Sequence, residues 1–406
     1  MLSKNFIEQV IKSQSERLEQ LDTGLIRAFP DISSLSSHAL IVTGIRRCGK
    51  STLLQQINRV IEEKTIYLNF EDPRMAGFDL GDFNRLHDIA IESKIYVFFF
   101  DEIQNVEKWE NFVRFNLDEG CRILISGSNS SMLSRELGTK LTGRHIPKEL
   151  FPFSYSEYLS FAEAEADVNS ADSYRLHGGF PEMVKTGMSE VLMNLFNDIV
   201  VRDIALRHNI KNSSILQQLA VWLISNTGKC IAGNSLRKIF SIGSSSSIME
   251  YLSYFRDAYL FFYVPKFSYS QKVQIVNPKK VYAIDNGLVT ANSLSFSPDS
   301  GRLFENMVYM QLRRHKKEIY YFSEKNECDF VVFENGKFSE LFQACFELGN
   351  ENLDRELSGI TEAMELFNVK SGSIITNNQT DSFSIGGKTV TAIPFHKWAT
   401  ELWQVP

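Results

Sequence analysis

Residues 44–52 read GIRRCGKST, and this stretch restricts the fold of the chain more than any other. It matches the spacing Gly-x-x-x-x-Gly-Lys-Ser/Thr, in which glycines let the backbone approach a phosphate and consecutive N–H groups point at the anion. An apolar run, HALIVTG, precedes it, and STLLQQINRVIEE, with apolar residues at helical spacing, follows it. Strand, loop and helix in this order predict a phosphate-binding loop at the edge of an α/β sheet.

Each position of this loop has an expected task. Lys50 should reach the β- and γ-phosphates of ATP, and the Ser51 hydroxyl should complete the coordination shell of Mg²⁺. Arg46 and Arg47 have two interpretations, contact with phosphate and packing against the sheet or a partner. The full set of residues expected to contact the nucleotide is Gly44, Ile45, Arg46, Arg47, Cys48, Gly49, Lys50, Ser51 and Thr52.

A second motif, KIYVFFFDEIQNV, supplies carboxylates. Its apolar run, residues 95–100, has the length of a central parallel strand and ends in Asp101 and Glu102. Ligands of α/β sheets bind beyond the carboxyl ends of the strands. We therefore expect Asp101 to hold Mg²⁺ through water and Glu102 to act as the general base on the attacking water. A solvated acidic pair is the alternative, which the pairing with the loop disfavours.

Two more strand ends carry polar residues. In CRILISGSNSSML, Ser128 and Asn129 are candidates for contact with the γ-phosphate or the attacking water, and an ordinary Ser/Gly/Asn turn is the alternative. In YLNFEDPR, Glu71 and Asp72 are either at the ligand edge or part of a turn before proline. Strands near 39–43, 65–69, 95–100 and 121–126 alternate with helices, which predicts a parallel sheet with helices on both faces.

Bulk properties exclude several classes of protein. The 406 residues suggest two or three domains, and a net charge of −6 argues against a basic nucleic-acid coat. The five cysteines form no Cys-x-x-Cys pair, so neither a disulfide framework nor a zinc site is indicated. No apolar run reaches transmembrane length and the first residues lack a signal-peptide core, so we expect a cytoplasmic protein without a membrane partner.

The chain changes character after residue 150. Three short helices and then a β-ribbon are indicated between residues 213 and 285, which is the order of a winged helix-turn-helix. Such modules bind DNA or protein, and the pattern leaves both open. From about residue 302, a helix, three strands, a helix and a further strand indicate a separate α/β unit.

Several segments together resemble prokaryotic AAA-type P-loop ATPases that carry a C-terminal domain of restriction-endonuclease-like fold. The resemblance implies an AAA-like ATPase domain at 1–150, a helical linker with a winged-helix module at 151–285 and a nuclease-like α/β domain at 286–406. It also implies a role for Arg144 in LTGR, as a cation for the γ-phosphate in cis or from a neighbouring subunit, and a surface arginine at a turn is the alternative. The segments are GIRRCGKST, YLNFEDPR, FFFDEIQNVEKWENFVR, ISGSNSSML, LTGRHIPKELFPFSYSEYL, GGFPEMV, VYAIDNGL and ECDFVV.

The tail departs from a working nuclease. Nucleases of that fold place an acid on a first helix, an aspartate on one strand and Glu-x-Lys on the next. Here Glu305 and Asp329 fit, but Gln343 and Cys345 stand where the glutamate and lysine should be. An amide is a poor ligand for a hard cation, and a thiol carries no ammonium charge. Glu347 is the one nearby acid that could compensate. We therefore expect a degenerate nuclease fold, in which the two acids cap or form salt bridges.

Basic residues follow on the same helix, in RRHKKE. They are expected either to meet DNA phosphates or to form a solvated face, and short charge runs more often do the latter. The four residues are Arg313, Arg314, Lys316 and Lys317.

These features indicate an ATPase that uses ATP and Mg²⁺ to switch or move DNA- or protein-binding C-terminal domains. The alternative is a nucleotide-gated DNA- or protein-binding regulator with little turnover, and an ATP-dependent nuclease is less favoured. Expected partners are ATP and either double-stranded DNA or a protein, with the chain acting as a monomer or small oligomer.

Overall fold

The computed structural model describes residues 1–406 except 33, 34, 36, 131–140, 142, 295–298, 317 and 402–406. The chain folds into two compact units, residues 1–150 and 151–406. None of the helices among the described residues combines the length and the apolarity needed to cross a membrane.

The first unit is built on a five-stranded sheet in the order β2-β3-β4-β1-β5, in which every neighbouring pair is parallel. The apolar runs of the sequence become its central strands, which are buried because both faces of such a sheet are covered. The parallel sheet predicted from the sequence is confirmed. Its strands are β1 Ala39–Thr43, β2 Thr65–Asn69, β3 Val97–Asp101, β4 Arg122–Gly127 and β5 His145–Glu149.

Helices connect these strands, and side-chain caps fix where two of them begin. Ser3 accepts a hydrogen bond from the N–H of Phe6, and Asp79 forms a capping box with Asp82. The bounds are α1 Lys4–Gln20, α2 Lys50–Val60, α3 Leu80–Ser93 and α4 Trp109–Asp118, with 3₁₀ turns at Pro73–Met75 and Ile103–Asn105.

Phenylalanines form much of the core between β3 and helices α3 and α4. Their rings pack edge to face or stacked, which anchors β3 on one side of the sheet. The acids that end β3 are therefore held at a fixed edge of the sheet. The cluster comprises Phe70, Phe78, Phe83, Phe98, Phe100 and Phe112.

The second unit begins with helices and a small antiparallel sheet in the order β6-β8-β7. The helices-then-ribbon order expected for 213–285 is present, and a short helix lies in the ribbon's connection. The helices are α5 Tyr155–Ala162, α6 Val168–His177, α7 Pro181–Thr186, α8 Ser189–Asp198, a π-helical segment Ile199–Leu206, α9 Ser213–Ser225, α10 Gly233–Ile239, α11 Ser245–Asp257, α12 Gln271–Val276 and α13 Asn286–Asn292. The strands are β6 Cys230–Ile231, β7 Phe261–Pro265 and β8 Lys279–Ala283.

A mixed six-stranded sheet in the order β13-β14-β12-β11-β10-β9 completes the second unit. The pairs β11–β12 and β12–β14 are parallel, and the others are antiparallel. The whole protein is thus a mixed α/β chain with a parallel P-loop-type sheet and a C-terminal β-rich sheet. The elements are α14 Ser300–His315, β9 Glu318–Ser323, β10 Glu327–Glu334, β11 Lys337–Ala344, α15 Leu353–Leu366, β12 Ser371–Thr376, β13 Asp381–Ile385, β14 Lys388–Pro394 and α16 Phe395–Glu401.

Candidate active site

The loop between β1 and α2 needs its glycines. Gly49 has a φ of 102°, a conformation that residues with a Cβ rarely adopt. A Cβ on Gly44 would lie 2.0 Å from the carbonyl oxygen of Leu150. Cys48 is buried and its thiol donates a hydrogen bond to that same oxygen, and burial raises the pKa of the thiol. The backbone at 44–49 is therefore shaped by close packing as well as by its sequence pattern.

Lys50 bridges the loop to the neighbouring strand end. Its ammonium donates to the carbonyl oxygens of Gly44 at 3.1 Å and Ile45 at 3.2 Å, and lies 3.5 Å from Oε1 of Glu102. Burial opposes the charged form, but the nearby Glu102 carboxylate raises the pKa of Lys50. The two residues predicted from separate motifs are thus brought into direct electrostatic contact.

Asp101 is fully buried at the end of β3 and is surrounded by hydroxyl groups. It accepts hydrogen bonds from the Tyr67 hydroxyl at 2.8 Å, from Ser126 and from Ser51. Burial and the neighbouring Glu102 charge raise the pKa of Asp101. A carboxylate next to the Ser51 hydroxyl is the oxygen donor set that Mg²⁺ prefers, so this pair fits the ion.

Glu102 is held in an unusual backbone conformation, with φ 53° and ψ 42°. Its N–H donates to Oγ of Ser126 at 3.2 Å, and the Gln104 amide donates to its carboxylate. Burial opposes ionisation, but the Lys50 charge and the hydrogen bonds from Gln104 and Ser128 hold the pKa of Glu102 below its usual value. A strained, ionised carboxylate at this edge suits a base that acts on water.

Ser128 and Asn129 follow directly on β4 and are both buried. Oγ of Ser128 lies 3.5 Å from Nε2 of Gln104, so this serine shares the surroundings of Glu102. Sequence reasoning missed Gln104, Tyr67 and the direct role of Ser126. Gln104 and Ser126 lie at or just past the carboxyl end of a strand, which was their only signal, whereas Tyr67 lies in the middle of β2.

The two acids of YLNFEDPR contact different partners. Glu71 forms an ion pair with Arg46 at 2.8 Å and so lies beside the loop. Asp72 forms an ion pair with Arg74 at 2.7 Å and accepts a hydrogen bond from the Gln14 amide of α1 at 3.0 Å. The hydrogen bonds from Arg74 hold the pKa of Asp72 well below its usual range. Only Glu71 of the two is therefore joined to the predicted nucleotide loop.

A polar cleft of about 670 Å³ opens beside the first turn of α2. Its size is typical of small-molecule sites. Ser51 and Thr52 form one wall, α1 forms another, and the end of β2 with the following turn closes it. The cleft therefore adjoins the serine expected to bind Mg²⁺.

Arg144 lies at the amino ends of the strands, on the opposite side of the sheet from the phosphate loop. Its carbonyl oxygen accepts a hydrogen bond from the N–H of Ala39, at the amino end of β1, whereas the loop follows the carboxyl end of that strand. Five residues of strand separate these ends by roughly 15 Å. Arg144 instead forms an ion pair with Asp118 at 2.6 Å. Within one chain, the structure does not bring Arg144 to Lys50.

In the second unit, Glu305 and Asp329 both form salt bridges with Lys280, as expected of a structural role. Both ends of the Gln343 amide are engaged, by the N–H of Asp329 and by the Glu356 carboxylate. Burial raises the pKa of the Cys345 thiol to about 12. Glu347 is exposed and lies beyond the end of β11, so it does not compensate for the missing glutamate.

The basic residues of RRHKKE contact groups of their own chain. The guanidinium of Arg313 stacks near the rings of Phe151 and Phe262, and Arg314 donates to the carbonyl oxygen of Phe153. Lys316 pairs with two glutamates of the six-stranded sheet. Lys317 lies outside the described residues. The three described cations are therefore held by internal packing and ion pairs.

Comparisons with known proteins show what this chain is similar to. A family model described as an AAA domain matches residues 36–159, and one described as a domain of unknown function (DUF8612) matches 169–299. The chain is similar to an uncharacterized protein, MJ1544, of Methanocaldococcus jannaschii, with 34% identity over 91% of this chain and 90% of that protein. An uncharacterized protein of Haemophilus influenzae is 31% identical over 68% of this chain and 74% of its own length. A solved structure of a Thermotoga maritima RuvB mutant aligns with TM-score 0.31 and 16% identity, over 65% of this chain and 91% of that one.

The match to the AAA domain covers the loop, Asp101 and Glu102, and the end of β4. It supports nucleotide binding and ATPase activity in general for this region. The relatives are uncharacterized, so they add no substrate or partner.

Proposed function

Because the chain belongs to the family of AAA-domain proteins that includes MJ1544 of Methanocaldococcus jannaschii, we propose that it binds ATP with Mg²⁺ and hydrolyses the γ-phosphate. Hydrolysis would switch or move DNA- or protein-binding parts of the chain after residue 150. The observation that carries this proposal is the 3.5 Å approach of the Lys50 ammonium to the Glu102 carboxylate. That contact joins the phosphate loop to the acids of the second motif.

The residues divide the chemistry between them. Ser51 and Asp101 would hold Mg²⁺, which supplies positive charge to the β- and γ-phosphate oxygens. Lys50 would exchange its contacts with the loop carbonyls for contacts with phosphate. Glu102 would take the proton of the attacking water, and Gln104 and Ser128 would orient its carboxylate. Asn129, next to Ser128, is the further candidate for contact with the γ-phosphate.

A nucleotide-gated regulator with little turnover is the second candidate function. It would need the same loop but no base. The hydrogen-bonded, ionised Glu102 favours turnover, since a carboxylate held in this state is prepared for proton removal.

The parts after residue 150 are proposed to transmit the nucleotide state. We assign residues 151–285 to a helical linker with a winged-helix module, and 286–406 to a degenerate restriction-endonuclease-like domain. Support comes from the helices followed by a β-ribbon in the first part, and from the mixed sheet beginning with a helix in the second. Either double-stranded DNA or a protein is the partner that such modules would take.

Steady-state ATP hydrolysis by the purified chain, with and without double-stranded DNA, tests this function. Lys50→Ala should abolish tight ATP binding, because it removes the ammonium that is expected to reach the β- and γ-phosphates. Stimulation by DNA would identify the partner class, and turnover indifferent to DNA would indicate a protein. Turnover that survives in Lys50→Ala would refute the assignment of the site.

Arg144 is proposed to act on ATP held by another copy of the chain, since it lies at the far edge of its own sheet. Arg144→Ala and Lys50→Ala should each be inactive alone. If the arginine acts in trans, mixing the two variants should restore part of the activity, because one interface then pairs an intact Arg144 with an intact loop. No recovery on mixing, at concentrations where the wild type is active, would contradict this role.

A further inference from the structure

Three carboxylates converge on one lysine in the second unit. The ammonium of Lys280, on β8, lies 3.0 Å from Glu305, 2.8 Å from Asp329 and 2.8 Å from Glu327. An ammonium has three N–H donors, so each carboxylate can accept one. This arrangement could not be predicted from the sequence, because Lys280 is 25 residues from Glu305 and 49 from Asp329.

The cluster is largely removed from water. The side chains of Lys280, Glu305 and Asp329 are 4%, 15% and 10% exposed, whereas Glu327 is 46% exposed. Burial opposes the charged form of the lysine, but the carboxylates, Asp329 first, hold the pKa of Lys280 well above its usual value. The ammonium therefore stays charged and in place.

The nuclease-like fold that the sequence resembles would carry a divalent cation at this position, and the residues present do not fit one. Distances of 2.8–3.0 Å are those of N–H···O hydrogen bonds. Oxygens bind Mg²⁺ at about 2.0–2.1 Å and Ca²⁺ at about 2.3–2.6 Å. The Gln343 amide is occupied by the N–H of Asp329 and by Glu356. Among the described residues, no group of three or more His, Cys, Asp and Glu side chains is arranged to hold a metal ion.

We propose that the ammonium of Lys280 takes the place of the divalent cation and fastens the small antiparallel sheet to the six-stranded sheet. Lys280 extends from β8 of the small sheet to Asp329 on β10 of the large one. Tyr282, also on β8, donates to Glu305 at 2.6 Å and stacks on Tyr309 at 4.2 Å between ring centres. These contacts join the small sheet to β10 and to α14, and this cluster is no metal-dependent phosphodiesterase centre.

Thermal unfolding of the full chain tests the internal cation. K280A removes three carbons and the ammonium, and propylammonium has the same shape as the removed group. Because Glu327 is half-exposed, propylammonium can reach the cluster from solvent. We expect K280A to lower Tm by roughly 10 °C, since it strands buried carboxylates. Propylammonium chloride should raise the Tm of K280A but not of wild type, and tetramethylammonium chloride at equal ionic strength should raise neither. K316A, which breaks ion pairs with two more exposed glutamates, is the control and should change Tm little.

Titration of the nucleotide-free chain with Mn²⁺ tests the absence of a metal. Wild type and D329N should bind Mn²⁺ alike. The proposal would be overturned if D329N abolished Mn²⁺ binding, or if Mn²⁺ raised the Tm of K280A more than propylammonium does. It would also be overturned if K280A were as stable as wild type. If K280A does not fold, the neutral variant K280M/E305Q/D329N should fold, because it leaves no uncompensated charge at these three positions. Its failure would mean that shape rather than charge requires Lys280, which would also overturn the proposal.

Discussion

Replacing Glu102 by glutamine separates catalysis from nucleotide binding at the proposed site. The amide keeps the shape of the side chain but cannot accept a proton, and loss of a general base slows turnover by roughly 10²–10⁴-fold, or about 3–5 kcal/mol. At 3.5 Å the Lys50–Glu102 attraction is about 5 kcal/mol at an effective dielectric constant of 20. This attraction holds the lysine away from incoming phosphates. Removing the charge should therefore leave ATP affinity intact or increase it.

The assay measures both quantities on the same preparation. Steady-state phosphate release gives turnover, and equilibrium titration with ATP and Mg²⁺ gives the dissociation constant. Glu107→Gln, which neutralises an exposed acid five residues further along, is the matched control and should behave as wild type. Normal turnover in Glu102→Gln would refute its role as base. A large loss of ATP affinity would instead show that the carboxylate shapes the loop.

Three further outcomes follow from the structure. Gly44→Ala should weaken ATP binding and lower Tm, because its Cβ would lie 2.0 Å from a backbone oxygen; Gly243→Ala, in open space, is the control for both measurements. Asp329→Ala should leave ATP turnover of the folded protein nearly unchanged in the phosphate-release assay, and a large loss would show that the second unit is coupled to the ATPase site. Burial raises the pKa of Asp285 to about 6, so urea unfolding should show stability falling by up to about 3 kcal/mol as pH rises from 4 to 7. Asp285→Asn does not titrate and should lack this contribution, and equal pH slopes for the two proteins would contradict it.

The sequence could predict those parts of the site that depend on local pattern. A phosphate loop is a continuous segment, and a carboxylate after an apolar strand needs only that strand to end at the ligand edge. Lys50, Ser51, Asp101 and Glu102 could be assigned for this reason, and the structure brings all four together. The alternation of strands and helices likewise predicted the parallel sheet, since parallel strands require helical crossovers.

Contacts between segments that are distant along the chain could not be predicted from the sequence. Arg144 could be assigned to the γ-phosphate only by resemblance, and the pairing of β5 beside β1 decided that it lies at the opposite edge. The sequence shows that Gln343 replaces the expected glutamate of a nuclease. It does not show that the amide of Gln343 donates a hydrogen bond to the Glu356 carboxylate.

Lys280 shows the difference most clearly. In the sequence it is one of two adjacent lysines at the start of a short strand. Only the packing of β8 against α14 and β10 encloses its ammonium among three carboxylates. The sequence determined which segments become strands, helices and phosphate loop, because those choices depend on neighbours along the chain. The tertiary structure decided which charges are buried together, because burial depends on residues that are distant in sequence.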